Sequence, residues 1–485
     1  MKKVRTRFAP SPTGYMHIGN LRTALYEYLV AKKDGGDFIL RIEDTDQARL
    51  VEGSVDIIYS TLAQVHLIHD EGPDKPGKYG PYVQSERLPM YKQYALDLVK
   101  LGGAHVCFCQ EEIIQGQRDA AEKAGVPFKF NDPCHFLSAT DIDQRVASGE
   151  PYVIRQTIKP GASTVFHDEV YGDIEVEREI LDEQVLLKSD GFPTYNFANV
   201  IDDHTMEITH VVRGNEYLSS TPKYNLLYDA FGWERPVYIH VPPVMKDETH
   251  KLSKRNGDAS FQDLVAKGYL PQAIINYIAL LGWSPEGTQE IFSLEELIQA
   301  FSVSRISKSG AIFDVEKLKW MNGVYLRAMS EDEFHALVLP YYADAIHIKC
   351  DLKEVSKMLH QRINILSEIP EMVDFLDTFP DYDVAMYFHP KMKTDKGICL
   401  RALDASLHVY EEIQNWNDIT ELQTRLQALP ALLGFKNGQV YWPIRTAVTG
   451  KQFTPGGALE IPYLLGKEET IRRTLIGIEK LKAVE

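Results

Sequence analysis

Polar and apolar positions alternate with strand period over residues 4–9 and 37–43. Between and after them, apolar positions recur at helical spacing over 21–31, 55–65 and 90–101. Strands and amphipathic helices taken in turn predict an α/β fold built on a parallel sheet. Residues 70–81 set Pro73, Pro76 and Pro81 among Gly72, Gly77 and Gly80, a composition that only loop tolerates. From about residue 107 to 184 the texture changes. A charged helix is predicted over 111–123 and short β patterns over 152–158 and 163–177, as expected of an insertion between two halves of one domain. The α/β pattern returns with strands at 185–188, 208–212 and 237–241 and a helix at 222–230. Beyond Gly257 strands become scarce, and helical spacing marks 270–281, 294–301 and 315–320. From Ser330 onward helices dominate, punctuated by Pro370, Pro380, Pro390 and Pro430, so an all-α bundle is expected there.

Composition narrows this picture. A chain of 485 residues exceeds one core and predicts about three to five domains. The formal charge of −17 argues at face value against a nucleic-acid binder. It does not exclude one, because such binding rests on a local basic stripe and not on the total. There is no apolar run of about 18 residues, so no membrane span is expected. Strand pattern begins at Val4 with no signal-like apolar segment before it, so export is not expected. Five cysteines in so large a chain fit a reducing compartment better than a disulfide framework.

Two stretches carry the candidate chemistry. Ser11-Pro12-Thr13-Gly14-Tyr15-Met16-His17-Ile18-Gly19-Asn20 joins a predicted strand to a predicted helix. A strand, a glycine-bearing turn and a helix N-terminus make an anion site, since unpaired N–H groups and the helix dipole favour negative charge. Neither the Walker A spacing nor GxGxxG is present. Lys251-Leu252-Ser253-Lys254-Arg255 crowds three cations into five residues, as a clamp for polyphosphate would. Taken alone, His17 reads as a turn residue capping a helix and the lysine pentad as a solvated loop. Together they could surround a triphosphate attacked at its α-phosphorus, where fixed cations stabilise the extra transition-state charge. A carboxylate nucleophile would need no general base, and no acid/base pair stands out. A third cluster, Cys107-Phe108-Cys109 and, 24 residues on, Cys134-His135, offers three thiols and an imidazole. It reads either as a tetrahedral zinc set, with His105 or water as another source of the fourth ligand, or as reduced, metal-free cysteines.

These residues also match a family. Phe8-Ala9-Pro10-Ser11-Pro12-Thr13-Gly14 with His17-Ile18-Gly19-Asn20 resembles the "HIGH" signature of class I aminoacyl-tRNA synthetases, and residues 251–255 resemble their "KMSKS" loop. Asn20 and Arg255 stand where those motifs often carry His and Ser. Residues 41–46, Gly80-Pro81-Tyr82 with 84–87, 193–203, 210–216 and Leu280-Leu281-Gly282-Trp283 are similar to the glutamyl-tRNA synthetases in particular. The resemblance implies a Rossmann-like catalytic domain over 1–89 and 196–262, and an inserted α+β acceptor-end domain over 90–195. A stem-contact region over 263–327 and an all-helical anticodon-binding region over 328–485 would follow.

What the resemblance implies for function is ATP-dependent activation of glutamate to its adenylate, then transfer to the terminal adenosine of tRNA(Glu). Mg²⁺ would accompany the nucleotide, and the chain would be a cytoplasmic monomer. By residue, Arg7 and Arg213 would grip the glutamate side-chain carboxylate, with Tyr195 and Asn199 orienting it. Glu43 would take the ammonium, aided by Ser11 and the backbone of Ala9. His17, Gly19, Gly214, Leu252 and Lys254 would hold ATP, with His17, Lys251 and Lys254 catalytic. Zinc on Cys107, Cys109, Cys134 and His135 would follow the Cys-x-Cys and Cys-x-His pattern of some members, although His135 directly follows Cys134 here. The alternatives are an enzyme that also charges tRNA(Gln), a glutaminyl enzyme, a truncated base-modifying paralogue, or a non-catalytic RNA-binding protein that kept the fold. The helical tail argues against the second and third, and intact His17, Gly19, Lys251 and Lys254 argue against the last.

Overall fold

The computed structural model describes residues 2–126, 128–252 and 260–484. They form two compact units, one of Met1–Leu264 with Ile274–Asp314, the other of Val265–Ala273 with Val315–Glu485.

In the first unit, strand β1 (Arg5–Phe8) leads through helix α1 (Ile18–Lys33) to a parallel strand β2 (Asp37–Leu40). The helix starts three residues before its apolar pattern because His17 caps it: the ring Nδ1 accepts from the Gly19 N–H at 3.0 Å. The sheet strand β2 is shorter than its sequence pattern. After Leu40 the chain leaves the ladder so that Arg41 and Glu43 can enter a buried ion cluster, while the Glu43 N–H donates to Pro10 O at 3.1 Å. Helices α2 (Ser54–Gln64) and α3 (Leu88–Lys100) follow.

Strand β3 (Ala104–Cys107), helices α4 (Glu111–Ala124) and α5 (Ala139–Ala147), and strand β4 (Val153–Gln156) come next. Strands β5 (Thr164–Asp168) and β6 (Gly172–Val176) form a hairpin, and β7 (Val185–Leu187) completes an antiparallel sheet in the order β3-β4-β7. Helix α6 (Tyr195–Thr205), strand β8 (His210–Gly214), helix α7 (Thr221–Phe231) and strand β9 (Val237–Val241) restore the α/β rhythm. Strands β8 and β9 are parallel, with Arg213 opposite His240. Thr209, just ahead of β8, donates its N–H to Arg5 O at 3.0 Å and so ties the two parallel pairs together. The β5–β6 hairpin, though it lies within residues 90–195, pairs with β9 through Asp168 and Tyr238. That sheet therefore runs β6-β5-β9-β8.

The second unit is helical, as its sequence pattern predicts. Helices Val315–Ala328, Glu331–Tyr342 and Leu352–His360 enclose one core around Phe334, Val355 and Leu359. Helices Lys396–Glu412, Ile419–Leu433, Asn437–Thr449 and Lys467–Lys482 enclose another around Leu403, Tyr410 and Leu426. Pro430 does not end a helix; it lies inside Ile419–Leu433, near its C-terminal end. Gly434, in left-handed conformation, supplies the actual stop. Asn322 ties the first core to the 265–273 segment, accepting from Leu270 N at 2.8 Å and donating to Asn364 O at 2.6 Å.

Arg473 joins the last helix to the loops around it. Only 1 % exposed, it donates to the carbonyls of Phe375, Val448 and Leu376 and to Glu469. Arg473→Ala strands buried carbonyls and should cost about 3 kcal/mol, read as a lower urea midpoint of the full chain. The two arginines Arg472 and Arg473 hold the Glu469 carboxyl down to about 2. Glu469 therefore contributes stability that is complete above its unfolded value and lost as pH falls towards about 2. Glu469→Gln should flatten that part of the pH–stability curve.

Candidate active site

The carboxyl ends of β1, β8 and β9 open onto one cavity of about 530 Å³, where Phe8, Gly214 and Val241 stand in its wall. Ligand sites of open parallel sheets lie at this edge because loops there are free to vary above a fixed scaffold. The turn after β1 brings Ala9, Ser11, His17 and Gly19 to the same cavity, and the segment after β9 brings Lys251 and Leu252. Residues separated by more than two hundred positions thus face one space. The segment is held by a Leu252 N–H bond to Val244 O at 3.0 Å and by a bridge between Met245 and Lys251. Lys254 lies outside the described residues.

Two glycines explain the closeness of this wall. A Cβ at Gly19 would come within 3.1 Å of the His17 ring, and one at Gly214 within 2.3 Å of the Glu216 carboxylate. Any side chain at 214 would displace Glu216, and one at 19 would push the capping imidazole.

Beneath the cavity lies a buried ion cluster. Arg7 donates through Nε and Nη2 to Asp203 at 2.9 and 3.3 Å and through Nη1 to Glu27 at 3.0 Å. Arg41, fully buried, reaches Asp203 at 2.8 Å and Glu43 at 3.2 Å. Arg87, Tyr91 and Gln84 converge on Asp202. Arg7, Arg41 and Arg87 are three cations against four carboxyls, Glu27, Glu43, Asp202 and Asp203. Burial raises Glu27 well above the usual carboxylate range, against the pull of Arg7. Burial also pushes Glu43 up to about 7, against the pull of Arg41 and Arg7. Asp203, held between two guanidiniums, stays low despite its burial.

The two arginines expected to grip a carboxylate differ in state. Arg7 is already neutralised by Asp203 and Glu27. Arg213, equally buried, has no carboxylate within 4 Å among the described residues. Its Nε–H donates to His240 Nε2 and its Nη2 to Thr221 Oγ1, and it lies against the faces of Tyr217, Tyr224 and Tyr238. A buried, uncompensated guanidinium in a cavity wall is a strong attractor for an incoming anion.

Most expected residues therefore share the cavity: Arg7, Ala9, Ser11, His17, Gly19, Glu43, Tyr195, Arg213, Gly214, Lys251 and Leu252. Asn199 is not in its wall. One turn beyond Tyr195 on α6, it is buried and donates to the Tyr195 carbonyl at 2.8 Å. Sequence reasoning missed Glu27, Asp168, Asp203 and His240. Glu27 and His240 had left a trace, each being a polar residue inside an apolar run of a buried element, Tyr26-Glu27-Tyr28 and Tyr238-Ile239-His240-Val241.

The cysteine cluster forms with one substitution in the expected set. The sulfurs of Cys107, Cys109 and Cys134 lie within 4.8 Å of one another and of an Asp132 carboxylate oxygen. His135 does not join them. Following Cys134 directly in the turn Pro133–Phe136, it turns to Glu183 at 2.7 Å and stacks at 3.8 Å on His105. His105 in turn reaches Asp132 Oδ2 at 3.0 Å through Nε2. Burial and the neighbouring Asp132 raise the Cys107 thiol to about 11.

Comparison with known proteins agrees with this geometry. Residues 3–320 match the family model of the class I tRNA synthetases (E and Q) catalytic domain, and residues 333–478 match an anticodon binding domain. The chain is 59% identical over 483 residues to the glutamate–tRNA ligase of Clostridium botulinum strain Hall, covering 100% of this chain and 99% of that one. It is 59% identical over 480 residues to that of Clostridium tetani, covering 99% and 98%. Among solved structures, a glutamate tRNA ligase from Elizabethkingia meningosepticum in complex with its amino acid superposes with a TM-score of 0.88 at 33% identity, over 99% of this chain and 100% of that one. No helix of the described residues is long and apolar enough to cross a membrane. The fold, the cavity and the full-length match together place the chain among the class I aminoacyl-tRNA synthetases, in the glutamate–tRNA ligase family.

Proposed function

We propose that the cavity activates L-glutamate with ATP and Mg²⁺ and passes the glutamyl group to the terminal adenosine of tRNA(Glu), releasing pyrophosphate and AMP. The observation that carries the residue assignment is Arg213, a buried cation in the cavity wall with no carboxylate beside it among the described residues. The substrate side-chain carboxylate supplies the missing charge, with Arg7 adding what its bonds to Asp203 and Glu27 leave free. Tyr195 borders the carboxylate, and Asn199 acts through it by fixing the helix turn on which Tyr195 stands. Glu43 takes the ammonium, near Ser11 and Ala9.

The nucleotide then lies along His17, Gly19, Gly214 and Leu252, with Lys251 and Lys254 meeting its phosphates. The substrate α-carboxylate attacks the α-phosphorus, and the cations lower the energy of the charged transition state. His17 Nδ1 accepts from Gly19, so its proton sits on Nε2, the form that donates to a phosphate oxygen. We assign the helical unit to the anticodon and the chain to a monomeric state; charging of tRNA(Gln) beside tRNA(Glu) is the alternative reading. All five cysteines are free thiols, which suits the cytoplasm.

Zinc belongs to the same reading, with Asp132 in the place expected for His135. Three thiolates and one carboxylate make an acceptable tetrahedral set, and the His105 bond to Asp132 would orient that carboxylate.

Three measurements follow. Arg213→Ala should raise the glutamate KM roughly 100-fold in tRNA-dependent pyrophosphate exchange and leave the ATP KM within about twofold. An unchanged glutamate KM would remove Arg213 from the substrate. The glutamate KM should fall as pH rises through about 7, as Glu43 ionises to meet the ammonium, and Glu43→Gln should abolish that trend. Metal analysis should find about one zinc per chain in wild type and in His135→Ala, and none in Asp132→Ala or Cys109→Ser. Retained metal in Asp132→Ala would refute the ligand set.

A further inference from the structure

Arg213 keeps its charge uncompensated because its inner edge is held by neutral groups only. Nε donates to His240 Nε2 at 3.1 Å, and Nη2 donates to Thr221 Oγ1 at 2.7 Å. The guanidinium lies 4.7 Å from the Tyr224 ring centroid and 5.3 Å from that of Tyr217. An imidazole can accept at Nε2 only as the neutral tautomer protonated on Nδ1. The structure provides for that form: Nδ1 lies 2.6 Å from Asp168 Oδ2. Asp168 is itself fixed by the backbone N–H groups of Val170, Tyr171 and His240 at 3.0, 2.9 and 3.1 Å. Both side chains are 0% exposed. Asp168 comes from the β5–β6 hairpin, His240 from β9 and Arg213 from β8, so the contact crosses three neighbouring strands.

We propose that Asp168 and His240 are positioning residues for substrate recognition: Asp168 fixes the His240 tautomer, and His240 then holds Arg213 in orientation without neutralising it. A carboxylate at position 240 would satisfy Arg213 before the substrate arrived, and a protonated imidazole would repel it. Two intervening neutral bonds keep the Asp168 charge at a distance while transmitting its geometry. The arrangement makes a substrate carboxylate the partner Arg213 lacks, whereas a carboxamide would leave a buried cation unpaired. This inference rests on the assignment of Arg213 to the glutamate side chain.

The test is steady-state kinetics of the full-length enzyme with tRNA. In Asp168→Asn the amide can donate to Nδ1, which moves the imidazole proton to Nε2 and sets it against the Arg213 N–H. The glutamate KM should rise about tenfold or more, with the ATP KM within about twofold. His240→Gln offers an acceptor that needs no tautomer, so Asp168→Asn combined with His240→Gln should recover most of the loss. A merely structural role for Asp168 would give no such rescue. Should Asp168→Asn fail to fold, the single variants decide: His240→Leu should raise the glutamate KM and His240→Gln should hold it within about threefold. An unchanged glutamate KM in a folded Asp168→Asn, a double variant no better than that single one, or equal effects of Leu and Gln would overturn the relay. The Arg213→Ala control separates the two levels: a glutamate KM that ignores Arg213 sinks the pocket assignment, while sensitivity to Arg213 with a silent Asp168 sinks the relay alone.

Discussion

The buried pairing of Arg7 and Arg41 with Asp203 is the interaction on which the rest of the first unit depends. It joins β1, the end of β2 and helix α6, elements far apart in the chain, at the floor of the cavity. Taking such charges out of water is unfavourable unless each is met, and removing one member of such a network leaves another charge stranded. The cluster also explains local departures from regular structure. Strand β2 ends at Leu40 because Arg41 and Glu43 have partners inside, and the Glu43 N–H finds the Pro10 carbonyl of the adjoining turn. Through that turn the ion cluster sets the height of Ser11 and His17 above the sheet.

Burial gives this floor a second property. It raises the Glu27 carboxyl well above the usual range and pushes that of Glu43 up to about 7. The site is thus less a fixed pattern of charges than a set of carboxyls whose state responds to what enters. Arg213 is the exception. Tyrosine faces and the His240 imidazole surround it, and no carboxylate lies within 4 Å of it among the described residues.

Much of this was legible in the chain. Alternation and helical spacing located the parallel strands, and the glycine turn together with the lysine pentad located the cavity wall. Both signals are local, which is why they survive in one dimension. What the sequence hid was non-local. The fourth partner of the thiols is Asp132 because His135, adjacent to Cys134, leaves the turn on another side; spacing reports proximity along the chain, not direction. Asn199 reads as a pocket residue by its block, yet the helix turn directs it to a backbone carbonyl. Pro430 reads as a stop because proline usually is one, yet it lies inside Ile419–Leu433 and Gly434 ends that helix. Glu27 and His240 announce themselves only as polar residues in apolar runs, and nothing in the sequence says with whom they pair.

The hairpin of β5 and β6 lies in one part of the chain and pairs with another. By sequence it lies within residues 90–195, and by pairing it belongs to the sheet of β8 and β9. A segment tied in this way is not an independent cassette. Exchanging residues 90–195 between relatives would carry off the carboxylate that holds His240 behind Arg213, so grafts that cut on either side of the hairpin must bring a matching strand β9 with them. Modularity in this chain stops at Asp168.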